Sequence, residues 1–219
     1  MEKIKLLSEK LINKIAAGEV LERPASAVKE LIENSLDAKA TKIDVFIRDG
    51  GKTEIKIVDN GNGISNEELP LSVKRHATSK LNDDNLFSIK TLGFRGEALP
   101  SIASVSKFKI ISKTNSDKVG SELYISAGEL VHNKLSNRPT GTTVIVKDIF
   151  FSTPARLKFL KSEKYENILI KKTIQKLALA NTEVEFNLFS EDKNIIATKP
   201  IKKSTKSNIL KKRVIDLFG

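Results

Sequence analysis

The stretch that decides the fold is residues 26–63, SAVKELIENSLDAKATKIDVFIRDGGKTEIKIVDNGNG. From Ser26 to Leu36, Ala27, Val28, Leu31, Ile32 and Ser35-Leu36 return at three- and four-residue spacing, the period of a helix with one apolar face. Pro24 and Ser26 stand near its start as first-turn residues. Two β-rich runs follow, Ile43–Ile47 and Glu54–Val58, and the glycines of Asp49-Gly50-Gly51-Lys52 between them can take the positive φ of a tight hairpin. The segment Gly50-Gly51-Lys52-Thr53 imitates the end of a Walker A motif. Phe46 stands where the leading glycine of that motif belongs, and the segment joins two strands and opens no helix, so it reads as a hairpin turn.

Working outward, Ser8–Ile15 reads as a short helix that Ala16-Ala17-Gly18-Glu19-Val20 and Arg23-Pro24 break. Residues Asn60 to Gly93 are polar and irregular apart from a helical run near Asn66 to Arg75, a length that favours a functional loop or lid. A helix from Glu97 to about Val105 then leads into strands at Phe108–Ser112, Glu122–Ala127, Glu129–Leu135 and Thr142–Asp148. Glu163–Ala180 is an amphipathic helix, and Glu185–Ser190 with Asn194–Lys199 a last hairpin. Lys202–Lys212 reads as a linker and Val214–Gly219 as the first turn of a further element. The pattern is α+β, with helices covering one face of a mixed, mostly antiparallel sheet.

With 219 residues, 39% hydrophobic and 30% charged, the chain has the composition of one large globular domain with the start of another. Lys+Arg 38 against Asp+Glu 27 leaves +11, which suits a polyanionic partner such as nucleic acid or an acidic membrane, or simply a solvated Lys-rich surface. The absence of cysteine excludes disulfides and thiolate metal sites, and His76 and His132 are too few for a histidine-rich zinc site. Met1–Val20 lacks the apolar core of a signal peptide, and no stretch approaches the ~18–20 apolar residues of a membrane span, so a cytoplasmic protein is expected.

Three pieces of sequence carry candidate chemistry. Glu30 and Asn34 are four apart and share one helical face, which pairs a carboxylate able to accept a proton from water with an amide oxygen able to coordinate Mg²⁺. The same spacing is common on solvated helices. Asp59-Asn60-Gly61-Asn62-Gly63 directly follows a strand. It is either a plain turn or a nucleobase reader, in which Asp59 accepts from the exocyclic amine of adenine and Gly61 and Gly63 let backbone approach the ring. Guanine presents a carbonyl there, so an ionised Asp would select ATP over GTP. Gly93-Phe94-Arg95-Gly96-Glu97-Ala98-Leu99 runs into a helix, as an ordinary cap does or as a phosphate-binding loop does. Upstream, His76-Ala77-Thr78-Ser79-Lys80 adds hydroxyls and a cation for phosphate oxygens or for closing the loop.

The order and spacing of these pieces are similar to those of one family, the MutL proteins of DNA mismatch repair, within the GHKL ATPase superfamily. Ile15-Ala16-Ala17-Gly18-Glu19-Val20, Arg23-Pro24-Ala25-Ser26 and Lys29–Ala38 resemble its first motif block. Asp59–Gly63, Arg75–Lys80, Gly93–Leu99, Gly141-Thr142-Thr143-Val144 and Phe151–Leu160 resemble the rest, so that the likeness spans nearly the whole chain. Lys39 departs from it, standing where the family usually has glycine after the long helix, as do Phe151-Ser152 in place of Tyr-Asn and the unusual Pro100.

The resemblance implies a Bergerat-type ATP-binding sandwich, with residues 1–20 as an N-terminal arm, 21–200 as the GHKL ATP-binding domain and 201–219 as linker and start of a transducer domain. It implies Glu30 as general base, Asn34 as Mg²⁺ ligand, and Asp59 as adenine reader supported by Thr143 through water. Residues from about Arg75 to Leu99 become the ATP lid, with Thr78, Lys80 and the backbone of Gly93, Phe94, Arg95, Gly96, Glu97, Ala98 and Leu99 on the phosphates. The implied activity is slow Mg²⁺-dependent ATP hydrolysis that drives an ATP-dependent N-terminal self-dimer around DNA, held by sequence-independent backbone contacts, and couples mismatch recognition to repair. Its implied partners are a mismatch-recognition protein and a downstream endonuclease or helicase, in a bacterial cytoplasm and at the nucleoid when engaged, with no membrane. Such proteins continue into a transducer domain whose lysine reaches the γ-phosphate, so weak or absent turnover is expected of these 219 residues alone.

Two rival readings remain at the level of sequence. A sensor histidine kinase ATPase domain or a type II topoisomerase subunit shares the Asn helix and the Asp-x-Gly-x-Gly segment, but does not carry His76–Lys80 followed by Gly93–Leu99. A module in which nucleotide only gates binding has no need of Glu30.

Overall fold

Alternation within each strand decides which face of the sheet is covered. In strand β1 (Lys42–Arg48) Ile43, Val45 and Ile47 are buried, and in β2 (Glu54–Asp59) Ile55, Ile57 and Asp59 are buried. The antiparallel register Ile43↔Asp59 and Val45↔Ile57 puts these residues on the same face. Helix α2 (Pro24–Asp37) packs Ala27, Val28, Leu31 and Ile32 into the same core. Full burial of each such aliphatic side chain contributes roughly 1.5–3 kcal/mol. This computed structural model describes residues 6–80, 91–93, 95–201 and 205–219, apart from the side chains of residues 9, 10, 206 and 207.

The remaining strands are β3 (Lys107–Lys113), β4 (Gly120–Ser126), β5 (Glu129–Ser136), β6 (Gly141–Lys147), β7 (Glu185–Ser190) and β8 (Lys193–Ala197). They complete one sheet of order β5-β4-β3-β6-β2-β1-β7-β8, in which β1 and β7 are parallel and every other pair is antiparallel. Helices α3 (Ala98–Ser104) and α5 (Glu163–Ala180) lie with α2 against the covered face. On the other face Phe46 stacks on Phe189, with ring centroids 4.8 Å apart. The mixed, mostly antiparallel α+β architecture agrees with the sequence reading.

Where the structure differs, the reasons are local. Helix α1 is longer than expected, Glu9–Val20, because Ala16 and Ala17 continue the helix, Ala17 is fully buried, and Gly18 is tolerated where Arg156 Nη2 reaches its carbonyl at 3.3 Å. The run near Asn66–Arg75 is a series of turns. Leu69 and Ser72 N–H reach four residues back, but Glu68, Leu71 and Lys74 reach only three, and Pro70 has no N–H to continue a helix. The turn Asp49–Gly51 is a hairpin connection as read, with φ of 62° at Gly50, where a Cβ would come within 2.9 Å of Glu166.

A short helix not expected, α4 (Pro154–Phe159), starts on Pro154 at its first turn. From Lys206 on, the supposed linker also proves helical. Helix α6 (Lys206–Phe218) is capped by the Thr205 hydroxyl, and it buries Leu217 together with Arg213, whose guanidinium donates to the Thr182 carbonyl and, at 3.0 Å, to that of Val184. Val214–Gly219 is therefore the end of this helix, and Lys211 and Lys212, two of the lysines that suggested a linker, lie on its exposed side.

Candidate functional site

Beside α2 the structure holds a cavity of about 1150 Å³. Its walls come from α2, the segment after β2, the turns up to Lys80, residues 91–93 and 95–100, and Ile110, Thr142 and Val144 from the sheet. Glu30, Asn34 and Asp37 lie at successive helical spacings on the cavity side of α2. Glu30 is partly exposed, with Lys29 Nζ 3.4 Å from its Oε1. Lys29 also binds Glu33 Oε2 at 2.7 Å. Burial alone would lower the pKa of Lys29, but Glu33 and Glu30 outweigh it and raise the value.

Asp59 is buried and fully engaged. Its Oδ2 accepts from the Ser35 hydroxyl at 2.8 Å, and its Oδ1 accepts from Gly61 N at 2.9 Å and Thr142 N at 3.2 Å. Three donors from α2, the following turn and β6 thus fix one carboxylate at the cavity edge. Arg138 supports the same corner from outside, donating to the Ile111 carbonyl at 2.9 Å and the Asp59 carbonyl at 3.3 Å. Burial lowers the Arg138 pKa, partly countered by Asp59.

At the far end, Lys80 Nζ donates to Asn34 Oδ1 at 2.9 Å and to Asp37 Oδ2 at 2.6 Å. Leu92 N and Gly93 N also donate to Asp37, at 3.0 and 3.1 Å. Burial would raise the Asp37 pKa, but the Lys80 ammonium and these two N–H groups overcome it and lower the value. Thr78 Oγ1 accepts from Lys80 N at 3.1 Å, which shapes the turn that presents the lysine. Gly96 has φ of 63°, and a Cβ there would come within 2.5 Å of the Ala77 carbonyl, so only glycine lets the two arms of the loop touch.

Of the residues singled out from sequence, Glu30, Asn34, Asp59, Gly63, Thr78, Lys80, Gly93, Arg95, Gly96, Glu97, Ala98 and Leu99 all border this cavity. Phe94 lies outside the described residues. One placement differs from the expectation. Thr143 pairs with Val58 on the opposite face of the sheet, and Thr142 occupies the cavity side, because strand alternation puts the partner of Asp59 one residue earlier. Gly61 and Gly63 are also required by the protein's own packing. A Cβ at Gly61 would stand 2.7 Å from the Ala38 carbonyl, and one at Gly63, where φ is 76°, 2.1 Å from that of Lys113.

Sequence reasoning missed Ser35, Asp37, Arg138 and Thr142. Ser35 had a signal, a hydroxyl among the apolar positions of α2 that needs a polar partner. Asp37 had one too, three residues on from Asn34 on the same face. Arg138 and Thr142 had none without the strand register.

A family model described as "Histidine kinase-, DNA gyrase B-, and HSP90-like ATPase" matches residues 22–148. The chain is 47% identical over 216 residues to the DNA mismatch repair protein MutL of Rickettsia prowazekii (strain Madrid E), covering 99% of this chain and 36% of that protein. It is 48% identical over 219 residues to the MutL of Persephonella marina, covering all of this chain and 41% of the relative. It therefore spans well under half the length of these relatives. Among solved structures, the Aquifex aeolicus MutL ATPase domain complexed with ADP aligns with a TM-score of 0.75 at 40% identity, over 91% of this chain and 70% of that one. The arrangement of Glu30, Asn34 and Asp59 around one cavity and these likenesses lead to one conclusion: the chain belongs to the histidine kinase-, DNA gyrase B- and HSP90-like ATPases, and within them to the MutL family of DNA mismatch repair proteins.

Proposed function

We propose that the cavity beside α2 binds ATP with Mg²⁺ and hydrolyses it slowly, as a switch in DNA mismatch repair. The observation that carries this reading is that Asp59, Asn34 and Glu30, three residues with distinct chemical tasks, face a single cavity. Asp59 accepts from the adenine amine, with Thr142 beside it. Thr78, Lys80 and the backbone of Gly93–Leu99 hold the phosphates. Glu30 takes the proton of the attacking water, which gives general base catalysis.

The donor set fits a magnesium ion. Mg²⁺ on a nucleotide takes one or two protein oxygens and fills its octahedron with phosphate oxygens and water. Asn34 Oδ1 offers such an oxygen, which here accepts from Lys80 Nζ at 2.9 Å, a bond the ion would replace while Asp37 still holds the lysine. When bound, the ion neutralises phosphate charge as it develops.

Residues 1–20 act as the arm, 21–200 as the nucleotide-binding domain and 201–219 as the lead into a transducer domain whose lysine completes the γ-phosphate site. Exposed Leu7, Leu11, Ile12 and Ile15 on and before α1 support an ATP-dependent self-dimer through the arm. The net charge of +11 supports sequence-independent DNA backbone contacts, which weaken steeply with salt. A mismatch-recognition protein and a downstream endonuclease or helicase complete the partners. Among the described residues no helix is long and apolar enough to cross a membrane, which is compatible with action in the cytoplasm and at the nucleoid.

The test is steady-state ATP turnover by the full-length protein, with and without Mg²⁺, beside its Glu30→Ala variant. Retained ATP binding with lost turnover is expected. Equal turnover in the variant overturns the assignment of the base.

A further inference from the structure

Asp37 has no task in the scheme above, yet it is the most heavily bonded acceptor at the phosphate end of the cavity. Its side chain is 9% exposed, and its two oxygens accept from Lys80 Nζ, Leu92 N and Gly93 N at 2.6, 3.0 and 3.1 Å. These donors come from both arms of the loop that walls the cavity. None of them belongs to α2, so the carboxylate does nothing for its own helix that these contacts record. It ties the loop down.

The lysine it holds is aimed with some economy. An ammonium has three N–H donors. Lys80 gives one to Asp37 and one to Asn34, which leaves the third without a partner among the described residues. Gly93 sits against the same group. A Cβ on it would lie 3.4 Å from Lys80 Nζ, 3.6 Å from Asn34 Oδ1 and 3.8 Å from Asp37 Oδ2.

We propose that Asp37 is a positioning residue for the triphosphate: it sets Lys80 and the backbone of Gly93 beside Asn34 before nucleotide enters. A loop already held in its binding geometry loses less freedom on binding, and so binds more tightly. The proposal rests on the cavity being a nucleotide site. Asp37 acts on the phosphates through Lys80 and Gly93, and the adenine end, fixed by Ser35, Gly61 and Thr142 on Asp59, is independent of it.

The experiment measures binding of ATP and of adenosine to the full-length protein, with and without Mg²⁺, for wild type, Asp37→Asn, Lys80→Met and the double variant. Adenosine binding is followed by NMR shifts, and the unfolding midpoint of each variant is recorded. Asp37→Asn is expected to weaken ATP about tenfold with or without Mg²⁺, and to leave adenosine affinity and the unfolding midpoint unchanged. The double variant should lose less than the product of the two single losses, because the two residues act as a unit. Equal loss for adenosine, or a lowered midpoint, makes Asp37 a purely structural residue and overturns the proposal. A loss that vanishes without Mg²⁺ makes it a metal ligand, which overturns it too, as does unchanged ATP affinity. If wild type binds neither ligand, the nucleotide reading itself has failed, a result separate from all of these.

Discussion

Asp59 and Asp37 are both carboxylates that collect three donors at the rim of one cavity, and they differ in where the donors come from. Those on Asp59 belong to α2, to the turn directly after its own strand and to β6, elements already fixed by the core. Those on Asp37 all belong to the loop, whose described residues include few buried apolar side chains. The proposed adenine end is therefore held by the core of the fold itself. The proposed phosphate end is tied to α2 through one carboxylate, which suits a site in which the γ-phosphate governs closure.

The largest way to test this division is to remove the chemistry and leave both ends alone. Glu30→Ala is expected to lower turnover about 10²–10⁴-fold with ATP affinity preserved, read by single-turnover kinetics beside equilibrium binding. Loss of affinity together with turnover would mean that Glu30 belongs to one of the two binding ends. Next in size is Asp59→Asn, which exchanges a charged acceptor for a neutral one. Hydrogen bonds to charged groups are worth about 1.5–3 kcal/mol, so ATP Kd should rise roughly 10–100-fold. The preference for ATP over GTP should narrow as well, since an amide can donate to the guanine carbonyl.

A smaller effect separates neighbours on one strand. Thr142 Oγ1 lies 2.9 Å from the Ser112 hydroxyl on the cavity side, and Thr143 faces away. Thr142→Val should weaken ATP about fivefold, the share of one hydrogen bond near 1 kcal/mol, and Thr143→Val should change nothing in a titration. The reverse order would return the adenine end to the reading made from sequence.

That misreading shows where sequence stops. Within α2 the 3.6-residue period alone puts Glu30, Asn34 and Asp37 on one face, and the hairpin of β1 and β2 follows from local residues. Thr142 against Thr143 depends on how β6 pairs with β2 across more than eighty intervening residues, and a slip of one position exchanges the faces. The turns at 65–74 and the helix α6 fail for related reasons. Pro70 overrides a plausible helical pattern, and the lysines of α6 hide an inner face that only Arg213 and Leu217, once packed, reveal.

The phosphate end also answers to acid. Burial tends to raise the Asp37 pKa, but Lys80 and the N–H groups of Leu92 and Gly93 prevail and hold it below the ordinary 3.8. A depressed carboxylate contributes its full share above the unfolded value and loses it as pH falls through the folded one. The tie is thus complete at neutral pH and released only below about 3.8. The Asp37 carboxyl carbon and the Gly93 amide should titrate together in NMR, with the resonances around Asp59 unmoved by that step.

The smallest effect concerns what the two ends share. Ala40 N bonds the Ser35 carbonyl and Lys39 N that of Leu36, at 3.0 and 2.9 Å, the paired bonds of a helix end that turns through a left-handed residue. That residue is Lys39, at φ of 63°. A side chain there costs about 1–2 kcal/mol, and glycine gives back roughly 0.5–1 in unfolded-chain entropy. Lys39→Gly should therefore stabilise the fold by about 0.5–1 kcal/mol in denaturant unfolding. The same turn carries Ser35 toward Asp59 and Asp37 toward the loop, and both are already in place, so the substitution should leave the affinities for ATP and adenosine unchanged. A change confined to ATP would show that the end of α2, which carries Asp37 itself but reaches Asp59 only through Ser35, tunes the phosphate side alone.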